Sequence, residues 1–365
     1  MDPSTLAVTP ALAPPPGVRP DFVNSYSLLP WITATASVCM VLTALVLALR
    51  MLTKTVVIRS VDWTDYNALL GFAFYTSFVG CALAINSQRR GRHQWDMSML
   101  TLLETLEVGV LPCAIIATDA AYHSQLENIA SIMYCIGIMF AKLSILLLYM
   151  KLFVPIRRGG VFWANQVLIY VNGLFYIGAV VALICQCIPR AKISQPRLPG
   201  RCTNVYLSFM ISGVFNVLSD FFILIFPLWA IWHLQMPLKR KFGVSIVFAT
   251  GVFALLSSIM RLYYTSQLSY NHDQTFIIAK VALWTTAEVA TVLLCGSFPI
   301  LPRLTQFIKE SKKRPRPMTK ASNLSCEHHL DGSCCAGTLG SEKSLGTASS
   351  EDEHARAVDT SRTLV

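Results

Sequence analysis

The stretch that decides the fold is IASIMYCIGIMFAKLSILLLY, residues 129–149, in which Lys142 is the single charged residue. As a helix it would be about 31 Å long, close to the thickness of the hydrocarbon core of a bilayer. Its residues are continuously apolar, whereas a strand of a membrane barrel alternates apolar and polar residues. A helix also satisfies its own backbone hydrogen bonds, as lipid requires. The stretch therefore predicts a membrane-spanning helix.

Six further apolar blocks of similar length flank this one. They cover residues 31–49, 67–86, 161–184, 206–232, 244–266 and 276–298. Hydrophobic residues make up 54% of the chain and charged residues 14%, whereas soluble domains carry about 25% charged residues. The sequence therefore predicts an all-α, polytopic membrane protein with a bundle of seven transmembrane helices.

The predicted chain has three parts. Residues 1–30 form an extracellular or lumenal N-terminal segment, and residues 31–305 form the membrane domain. Residues 306–365 are rich in Ser, Thr, Gly and charge, a composition that cannot bury a core, so we expect a disordered cytosolic tail.

A shorter apolar stretch, VGVLPCAIIAT at residues 108–118, precedes the central helix. It contains Pro112 and is too short to cross about 30 Å of hydrocarbon. We expect a re-entrant, interfacial or loop-packed segment. If the stretch did span the membrane, the count would be eight and every later helix would be inverted.

Positive charge is distributed unevenly between the two sides that seven spans create. The connections after the first, third and fifth helices and the start of the tail contain 16 Lys and Arg residues, against 8 on the other side. Cytosolic loops are enriched in these residues. We therefore expect a multi-pass protein of the plasma membrane or an endomembrane, with its N-terminus outside and its C-terminus in the cytosol. Orientation and anionic lipid explain the net charge of +10, so the expected partner is the lipid bilayer and not nucleic acid.

Ionisable residues inside the predicted spans mark the candidate site, because burying them in lipid is costly. Lys142, Asp220 and Glu288 have similar expected depths, about 10–18 Å from the cytosolic ends of their helices. We expect Lys142 to pair with Asp220, with Glu288 near enough to compete. Asn216 lies one turn before Asp220 on the same face, where the two could hold water or an ion, or bond a neighbouring helix. Arg261 lies near the outer end of its helix, and we expect it to extend to the lipid headgroups.

Two explanations of this polar layer stay open at this point. One is a functional core that switches conformation or binds a ligand. The other is a set of structural ion pairs that fixes the helix packing.

Three cysteines, Cys185, Cys187 and Cys202, frame the connection between the fourth and fifth helices. This connection lies on the side expected to face outside, where disulfides persist. A bridge from Cys202 to Cys185 or Cys187 would close a loop of about 15 residues, which contributes roughly 3 kcal/mol in the loop-entropy model. Free thiols are the alternative.

The sequence offers no catalytic constellation. It has no His-Glu-x-x-His, Gly-x-Ser-x-Gly or phosphate-loop motif, and the Cys and His residues of the tail fit no zinc spacing. Retinal needs a Lys amine for a Schiff base, deep in the seventh helix of rhodopsins, but this helix has only Lys280, about one turn from its outer end. We expect a non-enzymatic protein without metal, cofactor or retinal.

Several motifs occur along the predicted membrane domain. They are KLSILLLY at 142–149 with Phe153, DWTD at 62–65, Gly200 to Cys202, Asn216 with Asp220, Pro227 to Trp232 with LQM at 234–236, KRK at 239–241, Gly251, SIMRL at 258–262, and Trp284 with Glu288. In order and spacing these motifs resemble the fungal rhodopsin-like domain, the family of the satratoxin-cluster integral membrane proteins and the Pth-type receptors. They cover about residues 30–305. The stretch at 108–118 lengthens an outer segment, and the loop from Cys187 to Cys202 lacks an expected Trp, so ligand contacts at the outer face could differ from the family pattern.

The resemblance implies a receptor-like fungal protein that senses a small molecule or a surface cue and signals to a cytosolic partner. Some members lie in secondary-metabolite gene clusters, which suggests the same link here; the resemblance implies neither retinal nor G-protein coupling. The alternative is a transporter or export accessory for a secondary metabolite. An intramembrane enzyme is the third hypothesis. A receptor predicts an outer pocket closed on the cytosolic side, a transporter predicts a polar path through both halves, and an enzyme predicts reactive groups converging in one cavity.

Overall fold

The computed structural model of the protein describes residues 9–22, 25–89, 91–99, 114–153, 159–193, 198–231, 238–271, 273–304, 307 and 309. The predicted disordered tail lies outside the described residues, apart from 307 and 309. The first six residues of the 108–118 stretch also lie outside them.

Seven long α-helices run through the described part of the chain. They are α1 Leu29–Leu52, α2 Trp63–Arg89, α3 Ala114–Phe153, α4 Gly160–Ile184, α5 Val205–Ile231, α6 Leu238–Gln267 and α7 Gln274–Ser297. Within the residues that the structure describes, six contain a window long and apolar enough to cross a membrane. The other helix, α6, has 30 residues and is about 45 Å long. The predicted all-α, polytopic fold is confirmed.

Helix α3 begins 15 residues earlier than the sequence predicts. Residues 114–118, expected in a re-entrant, interfacial or loop-packed segment, belong to its N-terminal end. Its 40 residues extend over about 60 Å, twice the hydrocarbon thickness, while its apolar window covers only Gln125–Leu152. The prediction used hydropathy, which falls where polar residues become frequent. The helix itself continues through these residues.

The connections divide the bundle into two ends. We call the end that carries the α2–α3, α4–α5 and α6–α7 connections the disulfide end, and the opposite one the tail end. At the tail end, α1 continues as a π-helix, Thr53–Ile58, and Arg59 (φ 56°) adopts the left-handed conformation that stops it. Such a conformation is unusual for a residue with a side chain, and it turns the chain into α2.

A short hairpin closes the α4–α5 connection at the disulfide end. Strand β1 (Cys187–Ile188) pairs antiparallel with β2 (Arg201–Cys202). Of the two bridges left open by the sequence, the structure forms Cys187–Cys202, and Cys185 is a free, exposed thiol.

The N-terminal segment lies across the same end. Its chain forms an isolated bridge between Pro10 and Ser98 in the α2–α3 connection. The backbone N–H of Leu28 donates to the carbonyl of Gly91 at 3.1 Å, and Arg92 donates to the carbonyl of Phe22 at 3.1 Å. These bonds tie the segment before α1 to the connection before α3.

Helices α3 and α7 form the centre of the bundle. Of the apolar windows, 61% of the one in α7 is buried and 17% of the one in α4, so α4 faces mostly outward. Close packing of α2 on α3 depends on Gly71, where a Cβ would lie 3.1 Å from the backbone nitrogen of Ala141. A central α3 places Lys142 among its neighbours instead of in lipid.

Candidate functional site

Buried polar side chains form a layer through the middle of the bundle, which we call the polar core. Its charged members are Lys142 on α3, Asp220 on α5, Arg261 on α6 and Glu288 on α7, and its neutral members are Tyr134, Asn172, Tyr176, Asn216, Ser219 and Ser258. The two positive and two negative charges balance, as burial in a low-dielectric bundle requires.

Lys142 and Asp220 form the first ion pair of the polar core. Nζ of Lys142 lies 2.8 Å from Oδ1 of Asp220, and the two side chains are 1% and 5% exposed. The same Nζ donates to Oδ1 of Asn216 at 2.7 Å and to Oγ of Ser219 at 3.1 Å. An ammonium group has three donors, so Lys142 is fully bonded. The pair is the one that the sequence predicts.

Arg261 and Glu288 form the second ion pair. Nε of Arg261 lies 2.8 Å from Oε2 of Glu288, whose side chain is fully buried. The prediction that Arg261 extends to the headgroups is wrong, and Glu288 pairs with Arg261 instead of competing for Lys142. The physical reason is that the donors of Lys142 are taken by α5, so a buried Glu288 needs another cation, and Arg261 can reach it.

Asn216 links the two ion pairs. Its Oδ1 accepts from Nζ of Lys142 at 2.7 Å and from the hydroxyl of Tyr176 at 2.6 Å. Its Nδ2 donates to Oε1 of Glu288 at 2.6 Å and to Oδ2 of Asp220 at 3.3 Å. One side chain therefore touches both pairs, and a change in either one alters the bonding of the other.

The polar core has an unused donor. Nη2 of Arg261 is buried and has no hydrogen-bond partner among the described residues, while the guanidinium lies 5.1 Å from the centroid of the Tyr134 ring. Buried donors are nearly always paired with protein or water. This N–H can therefore donate a hydrogen bond to a water molecule or to a ligand oxygen.

On its tail-end side the polar core borders a cavity of about 40 Å³. Lys142 and Asp220 line one part of it, and the rest of the lining includes Ile145, Leu224 and Val292. A water molecule needs about 10–15 Å³ of such space, so the cavity is large enough for water and too small for an organic ligand. Apolar side chains thus separate the polar core from the tail end.

Ionic contacts also close the tail end, between α1, α2 and α7. Nη2 of Arg50 lies 2.9 Å from Oδ1 of Asp65, and both side chains are fully buried. Nη1 of Arg50 donates to the carbonyl of Gly296 at 2.9 Å. Arg50 is one of the 16 Lys and Arg residues expected to orient the chain, because it directly follows the apolar block 31–49. In the structure its side chain is turned inward and fully buried.

A more exposed group of ion pairs lies at the same end, around Asp62, which directly precedes α2. Asp62 accepts from Nζ of Lys54 at 2.6 Å and pairs with Nζ of Lys151 at 2.7 Å. Hydrogen bonds from Lys151 and Lys54 lower the pKa of the Asp62 carboxyl. Because the folded protein holds this pKa below its ordinary value, the ion pairs of Asp62 stabilise the fold fully at a pH above the ordinary pKa. This stabilisation is lost as the pH falls through the lowered pKa.

A second cavity, of about 280 Å³, lies at the disulfide end beside α3 and the α4–α5 connection. Its lining includes Gln125, Asn128, Ile129, Arg190 and Ile193. Asn128 lies on the same face of α3 as Lys142, four turns away, or about 21 Å along the helix. One face of α3 therefore runs from this cavity to the polar core.

The structure brings together most of the predicted site. Lys142, Asn216, Asp220 and Glu288 meet, and Arg261 joins them. Sequence reasoning missed the neutral members other than Asn216, because single Ser, Tyr and Asn residues hardly change the hydropathy of a span. Helical spacing offered a signal for Ser258, which precedes Arg261 by three residues and so shares its face.

Comparison with protein-family models gives one match, the fungal rhodopsin domain, over residues 49–307. No solved structure is detectably similar to the chain.

Several curated fungal proteins are similar to the chain. A SAT4 family membrane protein of Emericella nidulans is 34% identical over 59% of this chain and 55% of its own length. Fugralins biosynthesis cluster protein 2 of Gibberella zeae is 25% identical over 83% of this chain and 71% of its own length. Receptor GIN3 of Arthrobotrys oligospora is 24% identical over 79% of this chain and 65% of its own length. The chain thus spans little more than half of the first relative.

Proposed function

We propose that this chain, which belongs to the fungal rhodopsin domain family, is a receptor-like membrane protein that senses a small molecule or a surface cue. The observation that carries the proposal is the polar core, in which two buried ion pairs join four helices through Asn216. Displacing one partner would leave a buried charge unpaired. The helices can therefore rearrange only between a few well-bonded states, as a switch requires.

The distribution of polar groups favours a receptor over a transporter. Apolar residues separate the polar core from the tail end, where Arg50 and Asp65 are buried against each other. The larger cavity lies at the disulfide end. Within the described residues this arrangement resembles a pocket on one side and a closed opposite side, whereas a transporter needs a polar path through both halves.

We also propose that the protein is not an enzyme and carries no retinal. The charged groups of the polar core are bonded to one another, which leaves them poorly suited to act as nucleophile or base. Nζ of Lys280 lies 4.5 Å from the centroid of Phe276 and 5.2 Å from that of Tyr264. This Lys near the start of α7 packs on aromatic rings, away from the polar core.

A role near secondary metabolism is part of the proposal. One relative is named a fugralins biosynthesis cluster protein, and another is named a receptor. An export accessory is the second candidate, because cluster proteins of that kind would carry the same names. The two candidates differ in what a cell without the protein should accumulate.

The test is a deletion strain of the source fungus, profiled for metabolites inside the cells and in the medium and for transcripts of biosynthetic genes. A receptor predicts changed transcript levels and changed total production, with the ratio of secreted to internal product unchanged. The control is the same strain complemented with the wild-type gene.

Other outcomes would contradict the proposal. Accumulation of a finished product inside the cells, with unchanged transcripts, would identify an exporter. Accumulation of one biosynthetic precursor would identify an enzyme. An unchanged profile under producing conditions would remove the link to secondary metabolism.

Orientation can be tested with Cys185, which is free and exposed at the disulfide end. The α2–α3 connection at this end contains a second cysteine, Cys113, so the test uses a Cys113→Ser background. If this end faces outside, a membrane-impermeant thiol reagent should label intact cells that display this variant, and adding Cys185→Ser should abolish the labelling. The tail contains Cys326, Cys334 and Cys335, which a cytosolic tail would protect. Labelling that persists in Cys113→Ser/Cys185→Ser would contradict this orientation.

A further inference from the structure

The cavity at the disulfide end has the size of a small-molecule site. Its volume of about 280 Å³ is close to the lower limit of ligand pockets, about 300 Å³. It lies outside the polar core, and two Ile side chains, Ile129 and Ile193, supply apolar walls. The space suits a compact organic molecule.

The loop that carries Arg190 is braced on both sides. The disulfide joins Cys187 to Cys202, and Nζ of Lys192 donates to the carbonyl of Gly200 at 2.7 Å. Arg190 opens the short 3-10 helix between these points. A braced loop loses little conformational freedom when a ligand binds, which favours affinity.

Arg190 brings a positive charge to the cavity. Among the described residues, no carboxylate lies within ion-pair distance of its guanidinium. A guanidinium offers only donors, arranged to match the two oxygens of a carboxylate. The group that it would bind is therefore an anion.

Asn128 contributes a hydrogen-bond acceptor, whereas Arg190 contributes donors. Its Nδ2 donates to the carbonyl of Leu183 at 3.2 Å and to Oε1 of Gln186 at 2.9 Å. Both amide hydrogens are thus used. The oxygen, for which the structure records no partner among the described residues, remains available as an acceptor, so it suits a ligand that donates an O–H or N–H.

We propose that this cavity binds a small organic acid that also carries a hydroxyl or amide N–H donor. The carboxylate lies on Arg190, the donor group faces Oδ1 of Asn128, and the apolar body packs on Ile129 and Ile193. This inference names the ligand class for the receptor-like function proposed above and rests on it. The face of α3 that carries Asn128 also carries Lys142, which connects the site to the polar core.

The experiment measures the thermal stability of the full chain in phosphatidylcholine nanodiscs with a panel of hydroxy acids. The probes are salicylate, 4-hydroxybenzoate and 3-hydroxyoctanoate, each beside its neutral amide. At least one acid should raise the Tm in a saturable way, and its amide should not. Arg190→Gln should weaken binding at least about tenfold, since a charge-assisted hydrogen bond is lost. Arg201→Gln, an exposed Arg of the same loop that does not line the cavity, should bind as the wild type does.

Two results would overturn the proposal. One is stabilisation by acids that is equal in wild type and Arg190→Gln, or absent from the whole panel. The other is an Arg190-dependent rise in Tm on adding phosphatidylglycerol that the acids do not increase, which would make the cavity a lipid-headgroup site. If the acids fail while the deletion strain behaves as a receptor mutant, only the ligand class is wrong. If an acid binds while the strain accumulates product inside, the receptor function is wrong and the site remains.

Discussion

Lys142→Met is expected to lower the free energy of unfolding by about 3–5 kcal/mol, since removing one partner of a buried pair strands the other charge. Among the described residues, Asp220 would then keep the hydroxyl of Ser258 and Nδ2 of Asn216 as donors. Asp220→Asn should be costly for the complementary reason, because it strands the ammonium. The measurement is unfolding of the purified protein by SDS in mixed micelles.

The double variant Lys142→Met/Asp220→Asn should lose less than the sum of the single losses, because no orphan charge remains. Lys280→Met is the matched control: the same substitution in α7, at a Lys packed on Phe276 and Tyr264. It should cost much less. Losses that simply add in the double variant would show that Lys142 and Asp220 do not stabilise each other.

The same variants separate the two explanations of the polar core. If the ion pair only fixes helix packing, a double variant that folds should also complement the deletion strain. If the pair is part of a switch, the double variant should fold and still fail to restore the metabolite profile. The second result is the one that the proposed function requires.

The helices were predictable from the sequence, because a run of about twenty apolar residues has few alternatives in lipid. Residues 129–149 show both the strength and the limit of this argument. The run identifies α3, but it cannot show that the helix begins at Ala114. The residues between Ala114 and the run include polar ones such as His123 and Glu127. Hydropathy indicates which part of a helix lies in the hydrocarbon core, and the helix can extend beyond that part.

The candidate site was predictable in its charged members and in the Lys142–Asp220 pair, and not in the pairing of Glu288 with Arg261. Charges are conspicuous against an apolar background, and helix depth brought Lys142 and Asp220 to the same level. Arg261 could extend to the headgroups or turn inward, and the sequence does not decide between these directions. The direction depends on Glu288, which needs a cation because Lys142 is bonded to groups on α5. That bonding in turn depends on how α3 and α5 are rotated about their axes. Only the packed bundle fixes those rotations.

The second large effect is expected at the other ion pair, where Glu288→Gln and Arg261→Met should differ. In Glu288→Gln the guanidinium of Arg261 stays buried and loses its carboxylate partner, and its Nη2 already has no partner among the described residues. A guanidinium cannot lose its proton, whereas a stranded carboxylate can take one up. Glu288→Gln should therefore lower the free energy of unfolding by about 3–5 kcal/mol and Arg261→Met by less. The comparison uses SDS unfolding at neutral and at lower pH, where the loss in Arg261→Met should shrink.

Tyr134→Phe is the control for this pair, because it removes the 3.1 Å hydrogen bond to Oε1 of Glu288 and leaves both charges in place. Its expected loss is about 0.5–1.5 kcal/mol, the net contribution of a single hydrogen bond. The double variant Glu288→Gln/Arg261→Met should recover part of the single losses. If Tyr134→Phe were as damaging as Glu288→Gln, the hydrogen bonds of Glu288, and not its pairing with Arg261, would account for its contribution to stability. A smaller loss in Glu288→Gln than in Arg261→Met would show that the buried carboxylate, not the guanidinium, is the group that most needs its partner.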